Sequence, residues 1–281
     1  MDYKKLNEHV CNFIPSSKLI RKGADMESVY LDDSCLSQSV WFMDVGESYE
    51  GAISQDAYFS KVNALLNALI GKKKIDLMPK AATSKCSDGH YYVYGDLSDR
   101  GRIMAIYEYT DTVRDVCVHA HLMGHLMGKI LYPRSTKEKM HYDDAMVLKN
   151  VLPIVIEKIA LDYYGNEEMS KYYQNLRPYR FKKMCEVDSA LRSIEGVINE
   201  DAILEMLDYN IHLTYKDVED YCADVERGND PVYKSYCYYV ADDLANKMYE
   251  RKNFRKDTKM LIKCTTVQAL TDQLSKPQKL K

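Results

Sequence analysis

Two histidines lie four residues apart in the segment TDTVRDVCVHAHLMGHLMG, residues 110–128. If this segment is helical, His121 and His125 project from one face a turn apart, and that spacing lets two imidazole nitrogens bind one zinc ion. Hydrolytic zinc sites with this spacing carry a glutamate after the first histidine, where it takes a proton from metal-bound water. Leu122 occupies that position here. The pattern therefore predicts two metal-binding side chains without the usual general base.

A second interpretation of the histidine pair needs no metal. Polar groups inside a helical protein are normally hydrogen-bonded, and two histidines on one helix face can serve as such core groups. His121 and His125 are therefore candidates both for metal ligands and for hydrogen-bonded core residues.

Seven residues around the pair carry a resemblance to a known enzyme family: Thr112, Asp115, Val116, Ala120, His121, Gly124 and His125. They resemble the stretch T-x-x-D-V-x-x-x-A-H-E-x-G-H of the thimet oligopeptidase and oligoendopeptidase F family of zinc metallopeptidases. The preceding run RIMAIYEY lies where this family has the strand that lines its substrate groove. The resemblance covers residues 74–250 and implies a zincin-like helical catalytic domain with a reduced N-terminal lobe.

In this family a second helix follows about two dozen residues later and supplies two glutamates, one of which is the third zinc ligand. The run NVLPIVIEKIALDYY, residues 150–164, lies at that distance. Aligned in this way, Asn150 stands at the ligand position and Glu157 keeps the second acidic position. The resemblance thus implies a metal-binding set of His121, His125, Asn150 and Glu157. Because the anionic third ligand is lost, we expect zinc to be held weakly or not at all.

A tyrosine-rich run near the C-terminus, DPVYKSYCYYVADDLA, resembles the helix on which the family carries the His and Tyr side chains that stabilise its transition state. The resemblance implies four candidate groove residues: Tyr233, Tyr236, Tyr238 and Tyr239. The family's histidine is absent from this run or replaced by Pro231.

Three functions fit these residues, and the first is a metallopeptidase-like protein that is catalytically impaired or inactive and binds a peptide or protein. A general base contributes roughly 10²- to 10⁴-fold in rate, and Leu122 cannot accept a proton. The second function is an active zinc-dependent peptidase or amidase whose base has moved to Glu108 or Glu157. The third treats VCVHAHLM as a strand, as in the His-hydrophobe-His endonucleases that nick DNA through a tyrosine.

Composition argues against several classes of partner. The 281-residue chain has a formal net charge of -3 and a sequence pI near 6.2, so we expect no basic surface for nucleic acid. No segment approaches the roughly 20 consecutive apolar residues that cross a bilayer, and the N-terminus lacks a signal-peptide pattern. The eight cysteines form no CxxC pair. We therefore expect reduced thiols in a cytoplasmic protein that does not contact a membrane.

Helices must position these side chains, and the spacing of apolar residues predicts helices over most of the chain. Residues 54–70 fit a helix that ends at Gly71, and residues 74–109 fit a small sheet. From Thr112 a period near 3.6 follows, with Asp115 completing a capping box. Further helices are predicted at these positions: 142–164, 187–208, 214–227 and 231–252.

The predicted fold class is therefore mainly α with a small β-sheet (α+β), arranged in three parts. Residues 1–73 form an N-terminal helical segment. The resemblance assigns residues 74–263 to a zincin-like metallopeptidase domain. Residues 264–281 form a C-terminal tail that frays at its end.

Overall fold

The chain is mainly helical, as predicted. The computed structural model describes these residues: 1–12, 80–85, 91–97, 101–107, 117, 120, 121, 124, 125, 127, 128, 131–164 and 167–276. The predicted helix at 54–70 and the predicted capping box of Thr112 and Asp115 lie outside the described residues.

The described elements follow one another as three strands and then helices. The strands are β1 (Lys80–Lys85), β2 (Tyr91–Leu97) and β3 (Gly101–Tyr107), and they form one antiparallel sheet in the order β1-β2-β3. The helices are α1 (Tyr3–Asn12), α2 (Arg134–Lys137), α3 (Tyr142–Tyr164), α4 (Glu167–Arg192), α5 (Glu200–Tyr209), α6 (Tyr215–Glu226), α7 (Pro231–Glu250), α8 (Phe254–Leu261) and α9 (Val267–Leu274). The described residues from Cys117 to Leu131 are also helical, and we call this segment the histidine helix.

Three of the predicted helices are confirmed with small shifts at their ends. The predictions 142–164, 214–227 and 231–252 correspond to α3, α6 and α7. Local signals explain this agreement for α6, because Thr214 and Asp217 form a reciprocal capping box at its start.

The helix predicted at 187–208 is wrong as a single element, because the chain breaks between α4 and α5. Gly196 has a φ of +94°, in the left-handed region that glycine occupies without strain. Three residues later the side chain of Asn199 accepts a hydrogen bond from the Ala202 backbone N–H at 2.9 Å and starts α5. One helix therefore becomes two, and the first of them extends back to Glu167.

The chain divides into two compact units. Unit 1 comprises Met1–Asp33 and Tyr173–Tyr239, and unit 2 comprises Ser34–Tyr172 and Val240–Lys281. The boundaries at residues 73 and 263 that the sequence suggests remain predictions.

A polar network ties the elements of unit 1 together beside its apolar core. The Tyr221 hydroxyl donates to Asp188 at 2.6 Å, and Arg192 Nε donates to the same carboxylate at 2.8 Å. Arg192 Nη1 also donates to the Val10 carbonyl at 2.6 Å. Burial raises the pKa of the Tyr221 hydroxyl far above its usual range, so it remains a hydrogen-bond donor. The network therefore joins α1, α4 and α6.

Helix α3 is the buried centre of unit 2. Every residue from 150 to 161 is buried, so this part of the helix is enclosed on all sides. Two charged side chains of α3 have partners on α7: Lys158 pairs with Asp242 at 3.1 Å, and Asp162 accepts a hydrogen bond from the Tyr249 hydroxyl. The Lys158–Asp242 pair compensates charges that would otherwise be costly in a core, whereas Asp162 is exposed.

The C-terminal part of unit 2 contains the short helix α9, and the tail at 264–281 remains a prediction. Helix α9 begins after Thr266, whose hydroxyl accepts from the Ala269 backbone N–H at 3.2 Å. The Val267 backbone N–H donates to Asp144 at 2.7 Å, and Arg251 Nη1 donates to the Leu274 carbonyl at 2.9 Å. The start of α9 is therefore held by a side chain of α3, and its end by a side chain from the turn after α7.

Two further findings concern the described residues only. None of their helices is long and apolar enough to cross a bilayer. Among the described cysteines, Cys11, Cys185, Cys222 and Cys264 are free thiols.

The capping box of α6 gives a stability prediction. Replacing Thr214 by alanine removes the oxygen that accepts from the Asp217 backbone N–H, and we expect the free energy of unfolding to fall by about 1 kcal/mol. Thr214→Ser keeps the hydroxyl and should remain close to the parent. Urea unfolding followed by circular dichroism measures both variants, and an equal loss in the two would contradict the capping role.

Candidate functional site

The histidine helix buries one face and leaves the two histidines at its edge. Cys117, Ala120 and Met127 are buried at the spacing expected of a helix stripe, and the predicted helix is confirmed at these positions. His121 and His125 are only partly buried. Cys117, Ala120 and His121 are helical rather than extended, so the strand that the endonuclease alternative requires is wrong at these positions.

The two imidazoles face each other through the same ring nitrogen. Nε2 of His121 lies 3.0 Å from Nε2 of His125, and the ring planes are inclined by 79°. A spacing of this size fits one N–H···N hydrogen bond. It also fits two ligands of one zinc ion, since two Zn–N bonds of about 2.05 Å span 3.0 Å at an angle of about 94°. The expected presentation of both nitrogens from one helix face is therefore found.

The second ring nitrogen of His121 contacts the carboxylate of Glu157. Nδ1 of His121 and Oε1 of Glu157 are hydrogen-bonded, with the Glu157 side chain 6% exposed and that of His121 17% exposed. An ionised carboxylate only accepts, so Nδ1 of His121 donates to it, and Nε2 is the ring nitrogen that faces His125. A carboxylate behind a histidine in this way fixes ring orientation and raises ligand basicity.

A close helix contact sets the distance between the histidine helix and α3. A Cβ added to Gly124 would lie 2.3 Å from Cα of Pro153, so only glycine fits against the proline backbone. Pro153 lies four residues before Glu157, and Gly124 lies three residues after His121. The contact therefore brings together the turn before Gly124 and the turn after Pro153, where His121 meets Glu157.

The two helices run in opposite directions along this contact. His121 meets Glu157 and Gly124 meets Pro153. Further along, the Tyr132 hydroxyl donates to the Leu148 carbonyl at 3.0 Å. As residue numbers rise on one partner they fall on the other, which is the register of antiparallel helices.

Asn150 lies on the same face of α3 as Glu157 but two turns away. Seven residues correspond to about 10.5 Å of helix rise, so the antiparallel register places Asn150 level with Gly128 rather than with His121. Asn150 Nδ2 donates to the Met146 carbonyl at 2.6 Å, and its Oδ1 has no partner among the described residues. The structure thus brings Glu157, and not Asn150, to the histidine pair. Metal ligation by Asn150 remains a prediction.

The donor set fits a weak metal site better than a catalytic zinc centre. Two Nε2 atoms converge, but the carboxylate of Glu157 lies on the Nδ1 side of His121. Within the described part of the chain, no group of three His, Cys, Asp or Glu side chains is placed to hold one metal ion. Leu122 stands at the position of the general base in the motif, and Glu108 is an alternative base. Both lie outside the described residues.

The four candidate groove tyrosines lie on α7 in unit 1. Tyr236 and Tyr239 pack on the Phe181 ring, with centroid distances of 5.6 Å and 5.5 Å, and both contact the hydrophobic core. Tyr233 and Tyr238 are partly buried on the same helix. The structure therefore gives Tyr236 and Tyr239 a packing role, and a role in a groove remains a prediction.

Sequence reasoning missed the Gly124–Pro153 contact, although a signal was present. Gly124 and Gly128 form a small-xxx-small pair, a pattern that lets helix backbones approach closely. The motif and the helix spacing account for Gly124 without Pro153, so the pairing of the two residues is visible only in the structure.

The contact at Gly124 gives a matched pair of substitutions. Gly124→Ala places a methyl group into the Pro153 backbone, and we expect the free energy of unfolding to fall by about 1–3 kcal/mol. Gly128→Ala meets only the Tyr132 ring at 3.6 Å and should gain up to about 1 kcal/mol from helix propensity. Denaturant unfolding compares the two variants. Similar effects of both would contradict the close approach.

The buried carboxylate gives a second pair. Glu157→Ala leaves the Nδ1–H of His121 without its acceptor, and we expect a loss of about 1–3 kcal/mol in unfolding free energy. Glu138→Ala removes a carboxylate from an exposed pair with Arg134 and should change stability by less than about 1 kcal/mol. Imidazole ¹⁵N shifts should also show a proton on Nδ1 of His121 in the parent. An Nε2–H form would contradict the assignment.

Comparisons with known proteins do not identify a family for this chain. No protein-family model, curated protein or solved structure matches the chain. The resemblance of residues 110–128 to the oligoendopeptidases therefore rests on the sequence motif, and the function that it implies is a proposal.

Proposed function

We propose that this chain is a metallopeptidase-like protein without peptidase activity, which acts by binding a peptide or protein partner in the cytoplasm. The proposal includes a zincin-like α+β arrangement in which the small sheet and the histidine helix belong to one substrate-binding domain. The observation that carries it is the contact between His121 and Glu157.

This contact supports a loss of hydrolysis because it engages the carboxylate of Glu157 in a hydrogen bond to His121. Glu157 is the acidic side chain of α3 that meets the histidine pair, and its Oε1 is engaged by Nδ1 of His121. In that position the carboxylate orients a ring, and it is directed away from the side on which two Nε2 atoms face each other. With Leu122 at the usual base position, the site has no assigned proton acceptor for an attacking water.

Zinc is part of the proposal only as a weakly held ion. His121 and His125 would hold it through Nε2, and Glu157 would raise the basicity of His121. Two neutral imidazoles give much less affinity than a set that includes an anionic ligand. Zinc would polarise a bound carbonyl group, but the chain assigns no residue to complete hydrolysis.

An active zinc amidase with a relocated base is the second candidate function. The two facing Nε2 atoms favour it because they can hold a metal ion. It requires Glu157 to leave His121, or Glu108 to act as the base, and it requires near-stoichiometric zinc.

One experiment separates the two functions. The purified chain is incubated with zinc and a set of unstructured decapeptides, with and without a chelator, and products are identified by mass spectrometry. We expect intact peptides in every sample, because no general base is assigned. Cleavage that the chelator abolishes and that His121→Ala removes would contradict the proposal and favour the amidase.

Asn150→Glu tests the alignment with the oligoendopeptidases. Asn150 stands at the family's ligand position in that alignment, but the antiparallel register places it level with Gly128, two turns from His121. We therefore expect the variant to bind zinc within about twofold of the parent affinity in isothermal titration, because a carboxylate at this distance adds no ligand. A rise of about tenfold or more would show that residue 150 reaches the histidines and would contradict this register.

A further inference from the structure

We propose that α5 and its flanking residues form a docking surface for a basic, amphipathic helix of a partner protein. The α5 surface is defined here by the exposed side chains of residues 195–211, all of them in unit 1. The proposal rests on the partner-binding part of the proposed function and names the class of partner. It does not use the histidine site.

Large apolar side chains are concentrated on the α5 surface. Six such side chains are exposed among the described residues, and four of them lie here: Val197 (73% exposed), Leu204 (49%), Tyr209 (81%) and Ile211 (90%). Single exposed apolar residues are ordinary on soluble proteins, but a group within 15 residues of chain indicates an interaction site.

The helix cannot turn these side chains inward. Ile203 and Met206 are buried on the opposite side of α5, 0% and 5% exposed, and both belong to the core of unit 1. At 100° per residue, any rotation that buried Leu204 and Tyr209 would expose that pair. Within the described residues, no rotation of α5 therefore buries its outer apolar side chains.

Carboxylates lie among the apolar side chains of the α5 surface, and no basic residue lies among them. The segment 194–211 contains five acidic residues and no Lys, Arg or His: Glu195, Glu200, Asp201, Glu205 and Asp208. All five are exposed. Asp201, Glu205 and Asp208 follow the i, i+4, i+7 spacing of one stripe, which Leu204 and Tyr209 flank.

This pattern selects one class of partner. A surface with five carboxylates repels nucleic acid and anionic lipid headgroups, so neither would settle on the apolar side chains. A helix with Lys or Arg beside Leu or Ile can place its cations on the acidic stripe and its apolar face on Tyr209 and Ile211. Lysine or arginine can also lie over the Tyr209 ring. A basic amphipathic helix thus complements both features.

The test uses a labelled 18-residue peptide of leucine and lysine arranged at helical spacing, with binding followed by fluorescence anisotropy. We expect the parent chain to bind this peptide and the affinity to fall as salt is added. Tyr209→Ser combined with Ile211→Ser should weaken binding at least about tenfold, because anchor side chains dominate such interfaces. Asp201→Asn combined with Glu205→Gln should reduce both affinity and salt dependence.

Two controls address the specificity of binding. Tyr142→Ser removes an aromatic side chain that is 71% exposed but outside the α5 surface, and this variant should bind as the parent does. A peptide of the same composition with the helical spacing scrambled should bind at least about tenfold more weakly. Equal binding by the parent and the Tyr209/Ile211 variant would overturn the proposal, and so would no binding by the parent.

Two further readouts separate this proposal from its alternatives. Sedimentation of the unliganded chain tests whether the surface instead pairs two copies, and self-association lost in the Tyr209/Ile211 variant would overturn the docking of a basic partner. Mass spectrometry of the recovered peptide tests hydrolysis. Binding with cleavage would contradict only the inactive state, whereas no binding with intact peptide would contradict only the docking surface.

Discussion

A carboxylate enclosed in a helical core must have a partner, and Glu157 on α3 is the case on which the candidate site depends. An ionised group that is moved out of water without compensation costs several kcal/mol, and Glu157 lies in a stretch that is buried from 150 to 161. His121 supplies the compensation from the histidine helix. The neighbouring Lys158 is compensated separately by Asp242 on α7. Rotating α3 about its axis would separate both pairs, so its orientation in unit 2 is fixed.

The same contact determines what chemistry the histidines can perform. Since Glu157 acts on Nδ1 of His121, the ring is held with Nε2 toward His125, and the Gly124–Pro153 contact fixes how far the two helices stand apart. The arrangement is rigid and suited to orienting a ligand nitrogen. It offers no second carboxylate on the Nε2 side within the described residues. The site therefore positions the His121 ring, but no described residue is assigned to transfer a proton.

Sequence patterns predicted the elements with strong local signals and failed where the signal was tertiary. Helices α3 and α6 follow from their apolar spacing, and the structure adds a capping box at Thr214 to the start of α6. Residues 167–186 of α4 were not predicted, because this sequence is polar and contains Pro178, which usually interrupts a helix. The break at Gly196 was missed for the opposite reason, since one glycine in a helical pattern is often tolerated.

The candidate site shows the same limit. Spacing of four residues correctly placed His121 and His125 on one helix face. Spacing of seven residues placed Asn150 and Glu157 on one face of α3, but it could not decide which of them meets the histidines. That choice depends on the antiparallel register, and the register is set by a glycine against a proline on two different helices. The spacing of residues in one sequence does not show how closely two helices approach each other.

Physical asymmetry between the motif positions explains how such a motif can persist without activity. Replacing His121 or Glu157 alone leaves a buried polar group without its partner, at a cost of about 1–3 kcal/mol in a protein whose total stability is only about 5–15 kcal/mol. A general base acts on the reaction, so exchanging it for leucine affects the rate first. A chain that does not hydrolyse peptides, as we propose for this one, can therefore carry leucine at position 122 while the fold retains the pair. Under this proposal the His121–Glu157 contact reports on packing rather than on activity, and surfaces such as α5 are the place to test for a binding role.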